Sequence, residues 1–287
     1  MVQRVSQQQV LRFSMLVIAQ AIAVIGGRIS RQSKFEAHIS GLWRADVAES
    51  PTIIDLISNG TMSAEMAATM WAFAVERRSF ISAAVPRLAG KTAIADAVMD
   101  MVALDVPVHE LSGDVAEMEA FRRQRTGGYL RISEISRGPF QNYVWGETAR
   151  RLFDAVSAGY ALVATMHADG LDDVFQQICV DNEVSDDAAS QIGFVIYIRR
   201  LGDETNGFWR RVAELHEIDG VEGGRSRGRV LHRWIEDEDR FEMLEWPATL
   251  GYGHEEMATR AAALRDRAES GRRSASDVAE MVAGFAR

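Results

Sequence analysis

AAVPRLAGKTAIADAV, residues 83–98, decides the fold of this 287-residue chain. It joins an apolar run without helical period, SFISAAV (79–85), to a segment where Ile94, Ala97, Val98, Met101 and Val102 follow helical spacing. The first has the length of a buried parallel strand, and the second carries one apolar stripe. Between them, Gly90-Lys91-Thr92 closes the kind of turn that wraps a phosphate, with loop amides and a helix N-terminus facing anionic oxygens. Lys91 would neutralise the outer phosphates and Thr92 would hold Mg²⁺. The phosphate-contacting set is then Pro86, Arg87, Leu88, Ala89, Gly90, Lys91, Thr92 and Ala93. The loop is poor in glycine, however. The position five before Gly90 is Val85, and Leu88 and Ala89 also carry Cβ atoms where positive φ and close approach favour glycine. A β-branched Val85 at positive φ would be badly strained, which leaves a wider loop or a weaker site.

Upstream, Ser50-Pro51 offers an N-cap followed by proline, and Ile53, Ile54 and Ile57 supply an apolar face. Asn59-Gly60-Thr61 breaks that helix, and SAEMAATMWAFAVERR (63–78) predicts a second one, with Met66, Met70, Phe73 and Ala74 on one stripe. Downstream strand candidates are VPVHEL (106–111), YLRISEI (129–135), YALVATMH (160–167) and FVIYIRRL (194–201). Helices separate them, among them ETARRLFDAV (147–156) and DGLDDVFQQICV (169–180), the latter capped by Asp169. Alternation of this kind predicts an α/β fold with a mostly parallel sheet covered by helices. After residue 202 the pattern turns antiparallel: RRVAELHEI (210–218), RVLHRWIE (229–236) and RFEMLEW (240–246). DGVEGGRSRG (219–228) is expected as a flexible hairpin loop and DED (237–239) as a tight turn. The Ala-rich tail, 254–287, is helical, breaks at ESGRRS (269–274), and carries a capping box in Ser274 and Asp277.

Three polar residues stand at strand ends. Glu134 ends one strand, where a carboxylate faces the ligand edge of an α/β sheet and can order Mg²⁺ or an attacking water. His167 ends another and can hydrogen-bond a terminal phosphate. Glu110 closes a third. Three such groups on three strands, with a Gly-Lys-Thr loop on a fourth, predict a shared catalytic hollow.

A net charge of −9 argues against nucleic acid as a partner, since no excess of cations is available for its phosphates. The single cysteine, Cys179, cannot form an internal disulfide and is expected to be a small core side chain. FSMLVIAQAIAVIGG (13–27) follows Arg4 and Arg12 and carries Ala21-Ile22-Ala23, as a signal peptide would, but is read first as a buried helix or strand; it is too short and too interrupted by Gln20 to span a bilayer. Trp71, Trp145, Trp209, Trp234 and Trp246 are expected to pack; Arg77, Arg78, Arg122, Arg123 and Arg125 are expected on solvated faces.

These motifs together resemble the type II and type IV secretion ATPases, the traffic and pilus motor family. SPTIIDLISNGTMSAEMAATMWAFAVERRSFISAAVPRLAGKT is similar to the family's lead-in helices, first strand and Walker A loop, with Pro86, Gly90, Lys91 and Thr92 on matching positions. VPVHELSGDVAEME resembles the acidic Asp box, with Glu110 in the carboxylate place. Glu134 matches the Walker B glutamate, and Thr165-Met166-His167-Ala168 the Thr-x-His-Ala signature. The resemblance spans about residues 50–246. It implies a RecA-like P-loop domain over 50–250, preceded by a segment of uncertain structure (1–49) and followed by a helical tail (251–287). It further implies Mg-ATP as ligand, a hexameric homo-oligomer, and work in secretion or pilus assembly from the cytoplasmic face of the membrane. In that setting Glu134, assisted by Glu110, would position water, and His167 would sense the terminal phosphate. Ser133 stands where the family has glycine, and the arginine expected two residues after Glu134 is displaced to Arg137. A nucleotide-binding or structural subunit without turnover is the alternative these departures raise.

Overall fold

The computed structural model describes residues 50–86, 88–138, 140 and 142–285. The apolar stretch 13–27, the segment 1–49 and Arg87 of the proposed loop lie outside the described residues. The order begins with α1 (Ile53–Ser58), α2 (Ala64–Val75), β1 (Ser79–Val85) and α3 (Lys91–Met99). Next come β2 (Val108–Glu110), α4 (Val115–Gln124), β3 (Tyr129–Arg131), β4 (Glu134–Ile135) and β5 (Tyr143–Val144). Then follow α5 (Glu147–Val156), β6 (Ala161–Met166), α6 (Leu171–Phe175) with a π-helical continuation (Gln176–Asp181), and α7 (Asp186–Ala189). Three long strands, β7 (Ile192–Asp203), β8 (Gly207–Glu222) and β9 (Arg225–Ile235), lead to β10 (Arg240–Met243). Helices α8 (His254–Ser270) and α9 (Ala275–Phe285) end the chain's described part.

Among the described residues ten strands form one mixed sheet, ordered β10-β9-β8-β7-β1-β6-β3-β2, with β4 beside β6 and β5 beside β4. The half around β1 is parallel, and β7 to β10 are antiparallel. Strand alternation sends side chains to opposite faces. Phe80 and Ala84 of β1 pack on one face with α1, α2, α3, α8 and α9, while Ile81 and Ala83 pack on the other with α5 and α6. Every residue of β1 but the last is buried, as a strand covered on both sides requires.

Several local details depart from the sequence reading. The first cap is Thr52, whose hydroxyl and the Asp55 carboxylate form a reciprocal capping box, in place of Ser50. Helix α2 ends at Val75 and is buried nearly all round rather than along one stripe, because α8 covers the side turned from the sheet. The strand expected over 129–135 breaks into β3 and β4, and between β2 and β3 the chain forms the helix α4, capped by Asp114, beyond those the sequence predicts. Asp169 does not cap α6; Gly170 holds that place, and Asp169 accepts a hydrogen bond from the Tyr197 hydroxyl at 2.7 Å. The presumed loop 219–228 is ladder almost throughout, turning only at Gly223-Gly224 between the paired Glu222 and Arg225. Trp209 is 45% exposed rather than packed. Arg78 reaches the Thr249 carbonyl at 2.8 Å and Phe194's ring, so its face is not simply solvated. Cys179 is half-buried against the core, and burial, with Asp186 adding to it, pushes its thiol up to about 11. The Ser274–Asp277 capping box is present, with Ser274 N–H to the carboxylate at 3.1 Å and Asp277 N–H to the hydroxyl at 3.2 Å.

Candidate functional site

The loop leaves β1 through a cis Val85–Pro86 peptide and reaches α3 through Gly90. Val85 stays in the strand, so the strain anticipated there does not arise. Instead Leu88 takes the left-handed conformation, at φ 63°, and Gly90 follows at φ 93°. Leu88 is 80% exposed, so its side chain contributes little packing against that backbone strain of roughly 1–2 kcal/mol. Ala89 is buried under the turn, and Gly90 begins the helix without a side-chain cap. Pro86 and Thr92 are exposed and Ala93 is half-buried at the helix start.

Lys91, in the first turn of α3, is buried, and its ammonium lies 3.5 Å from Oε1 of Glu134. His167 Nε2 lies 3.1 Å from the same oxygen. Glu134 itself is buried on β4, and although the Lys91 ammonium and the His167 ring flank Oε1, no aligned hydrogen bond reaches it. Three chain segments thus meet at one carboxylate: the helix after β1, the short strand β4, and the chain after β6. Register explains the meeting. Ala83 of β1 is level with Met166 of β6, which is level with Ile135 of β4. Glu134 and His167 therefore flank the same row of the sheet, beside the end of β1.

Neighbouring polar groups hold this geometry. The Thr165 hydroxyl donates to the Ser133 carbonyl at 2.8 Å, fixing the residue before Glu134. The Gln177 amide donates to the His167 carbonyl at 2.7 Å, from the π-helical turn after α6. A widened turn of this type is frequent at functional sites. Burial and the Asp169 acceptor push the Tyr197 hydroxyl up to about 12, so at neutral pH it is a firm donor that ties β7 to the residues after His167.

Glu110 does not join the group. It sits on the edge strand β2, level with Arg131, which is level with Val163, three residues short of Met166. Because β4 continues the lane of β3, at the usual spacings that is one strand, about 5 Å, across the sheet but about 10 Å along it from the row of Ile135 and Met166. Its carboxylate is exposed and ion-paired with Arg131 at 3.4 Å; Arg131 also pairs with Asp96 of α3. Arg137, displaced from the place the motif reading expected, stacks its guanidinium 4.9 Å from the Trp145 ring. Motif reading missed Gln177 and also Arg210, which donates to the Leu88 carbonyl at 2.9 Å, since nothing in a lone glutamine or a strand arginine marks its partner. Among the described residues no cluster of three or more His, Cys, Asp or Glu side chains could hold a metal, and no helix is long and apolar enough to cross a membrane.

No protein-family model matches the chain, and no curated protein matches it. Among solved structures it is similar to the VirB11 ATPase from the Brucella suis type IV secretion system in complex with sulphate. That match has 11% identity and a TM-score of 0.42, and covers 66% of this chain and 64% of the other. It is similar as well to the ATPase DotB of Legionella pneumophila, at 13% identity and a TM-score of 0.34, covering 47% of this chain and 44% of that one. DotB of Yersinia pseudotuberculosis gives 11% identity and a TM-score of 0.36, covering 70% and 52%. The chain therefore spans less than two thirds of each of these structures. So distant a likeness leaves the functional case resting on the site's own residues.

Proposed function

We propose that the chain is a nucleotide-binding, RecA-like P-loop protein of the secretion-motor type that hydrolyses Mg-ATP. The observation that carries this reading is the meeting of Lys91, Glu134 and His167 beside the loop that ends β1. A lysine in the first turn of a helix, following a strand and a left-handed Gly90, suits the outer phosphates of a nucleotide. Residues 86–93 would line those phosphates, with residues 50–250 as the nucleotide-binding core and 251–287 as a helical tail.

The donor set fits magnesium. That ion keeps several waters and takes one or two protein oxygens plus phosphates, so a dedicated cluster of carboxylates is not required. The exposed Thr92 hydroxyl and the buried, unaligned Glu134 Oε1 would serve it. When bound, the ion would neutralise charge developing on the phosphates. Glu134 would then orient the attacking water, and His167, on the same oxygen, would exchange that partner for the terminal phosphate. Glu110, occupied by Arg131, is left to brace β2 against β3. A cytoplasmic homo-oligomer, hexameric as in the family it resembles, and a secretion or pilus complex as partner are supported by the motif resemblance alone.

ATP turnover with Mg²⁺ tests the reading in the wild type and in Lys91→Ala, Glu134→Gln and His167→Ala. Loss in all three variants supports it. Equal background rates in all four proteins reject hydrolysis, and nucleotide affinity that persists without turnover would favour the regulatory alternative suggested by the glycine-poor loop.

A further inference from the structure

The long hairpin β7–β8 runs past the end of β1. Val85 is level with Arg199 on β7, and the next residue, Arg200, is paired with Arg210 on β8. Arg210 reaches back across the phosphate loop, donating from Nη2 to the Leu88 carbonyl at 2.9 Å and from Nε at 3.3 Å. Its stem lies against Gly90 so closely that a Cβ there would stand 2.9 Å from Arg210 Cδ. Glycine at 90 thus answers two demands, a left-handed backbone and room for this arginine. Beside it, Arg211 is held by Asp239 through two bonds of 2.7 and 2.8 Å and donates to the Arg210 carbonyl at 3.0 Å, which steadies the strand that presents Arg210.

In a trans peptide the carbonyl and the N–H point in opposite directions. Pinning the Leu88 carbonyl toward β8 therefore turns the Ala89 N–H away from the hairpin. We propose that Arg210 is a positioning residue that sets the amide direction of the phosphate loop, holding from a distant strand the left-handed turn that Leu88, a residue with a Cβ, adopts only at a cost. The role deepens the nucleotide-binding reading and rests on it: the ligand is the phosphate chain of a nucleotide, and Arg210 acts on it through the backbone of Leu88 and Ala89.

The test compares wild type, Arg210→Ala and Arg210→Gln in two measurements: amide hydrogen exchange across residues 85–92 without nucleotide, and titration with Mg-ATP. A glutamine amide can keep one N–H on the Leu88 carbonyl while lacking the charge. The expected result is about tenfold faster loop exchange and about tenfold weaker Mg-ATP binding in Arg210→Ala, with Arg210→Gln near wild type in both. Unchanged exchange in Arg210→Ala overturns the clamp. Binding lost in Arg210→Gln while its exchange stays slow also overturns it, because the arginine would then act on the phosphates by its charge. A wild type that binds no Mg-ATP refutes the nucleotide reading and the ligand role with it. The exchange measurement then shows separately whether the loop is clamped.

Discussion

Replacing Lys91 by methionine keeps most of the side chain's length and removes its charge. The consequence falls on Glu134, a carboxylate about as buried as the lysine and 3.5 Å from it. At that separation, with an effective dielectric of about 20, the attraction is about 5 kcal/mol, most of it offset by the desolvation of both groups. Deleting one partner forfeits the attraction and leaves the other charge dry, a cost of about 3 kcal/mol, moderated here because His167 remains 3.1 Å from the same oxygen. Glu134→Gln is expected to cost a similar amount, leaving the ammonium buried. The double variant Lys91→Met/Glu134→Gln leaves neither charge and should recover about 2 kcal/mol relative to the sum of the singles. Urea unfolding of the four proteins, followed by tryptophan fluorescence, measures this coupling without nucleotide. Additive singles, each below about 0.5 kcal/mol, would mean the two groups do not sense each other, and the proposed site would lose its centre.

Three further outcomes follow from the geometry. His232 is buried beside the Thr69 hydroxyl at 3.0 Å, and burial holds its imidazole down to about 4. Because that is below the ordinary 6.5, the neutral form's stabilisation is complete above pH 6.5 and is lost as pH falls toward 4, by about 3 kcal/mol. Urea midpoints across that window should slope less in His232→Gln, and an identical slope would count against it. Leu88→Asn should raise stability by about 0.5 kcal/mol, since asparagine tolerates the left-handed backbone and little leucine packing is lost; a lower urea midpoint would contradict this. Arg260, buried on α8, lies 4.1 Å from the Tyr252 ring centre and 5.4 Å from that of Phe285 on α9, so Arg260→Ala should cost about 2 kcal/mol. It should also speed amide exchange in 275–285, and unchanged exchange there would refute the aromatic cage as the hold on α9.

Some local signals were legible to the residue, while others, such as the caps assigned to Ser50 and Asp169, were not. The apolar face of Ala149, Leu152, Phe153 and Val156 marks α5 with the bounds the structure has, and Ser274 with Asp277 marks the start of α9. The strand-loop-helix of 79–99 reads the same way, because each part depends on neighbours within a turn or a strand length. Lys91, Glu134 and His167 were all nameable from their places after predicted strands. Glu110 looked equivalent by the same rule, and only register separates it, since being at the end of a strand says nothing about how far along the sheet that end falls.

Composition and apolar period thus determined most of the helices and strands around β1, though not helix α4 or the exact caps of α1 and α6. Tertiary structure alone decided that Leu88 rather than Val85 bears the left-handed backbone, that α2 is buried nearly all round, and that residues 219–228 are ladder but for the turn at Gly223-Gly224. It also brought Arg210 across the loop from 122 positions away. Each of these depends on which strands lie side by side and in what register, and contacts between residues far apart in the chain leave no periodic trace in it.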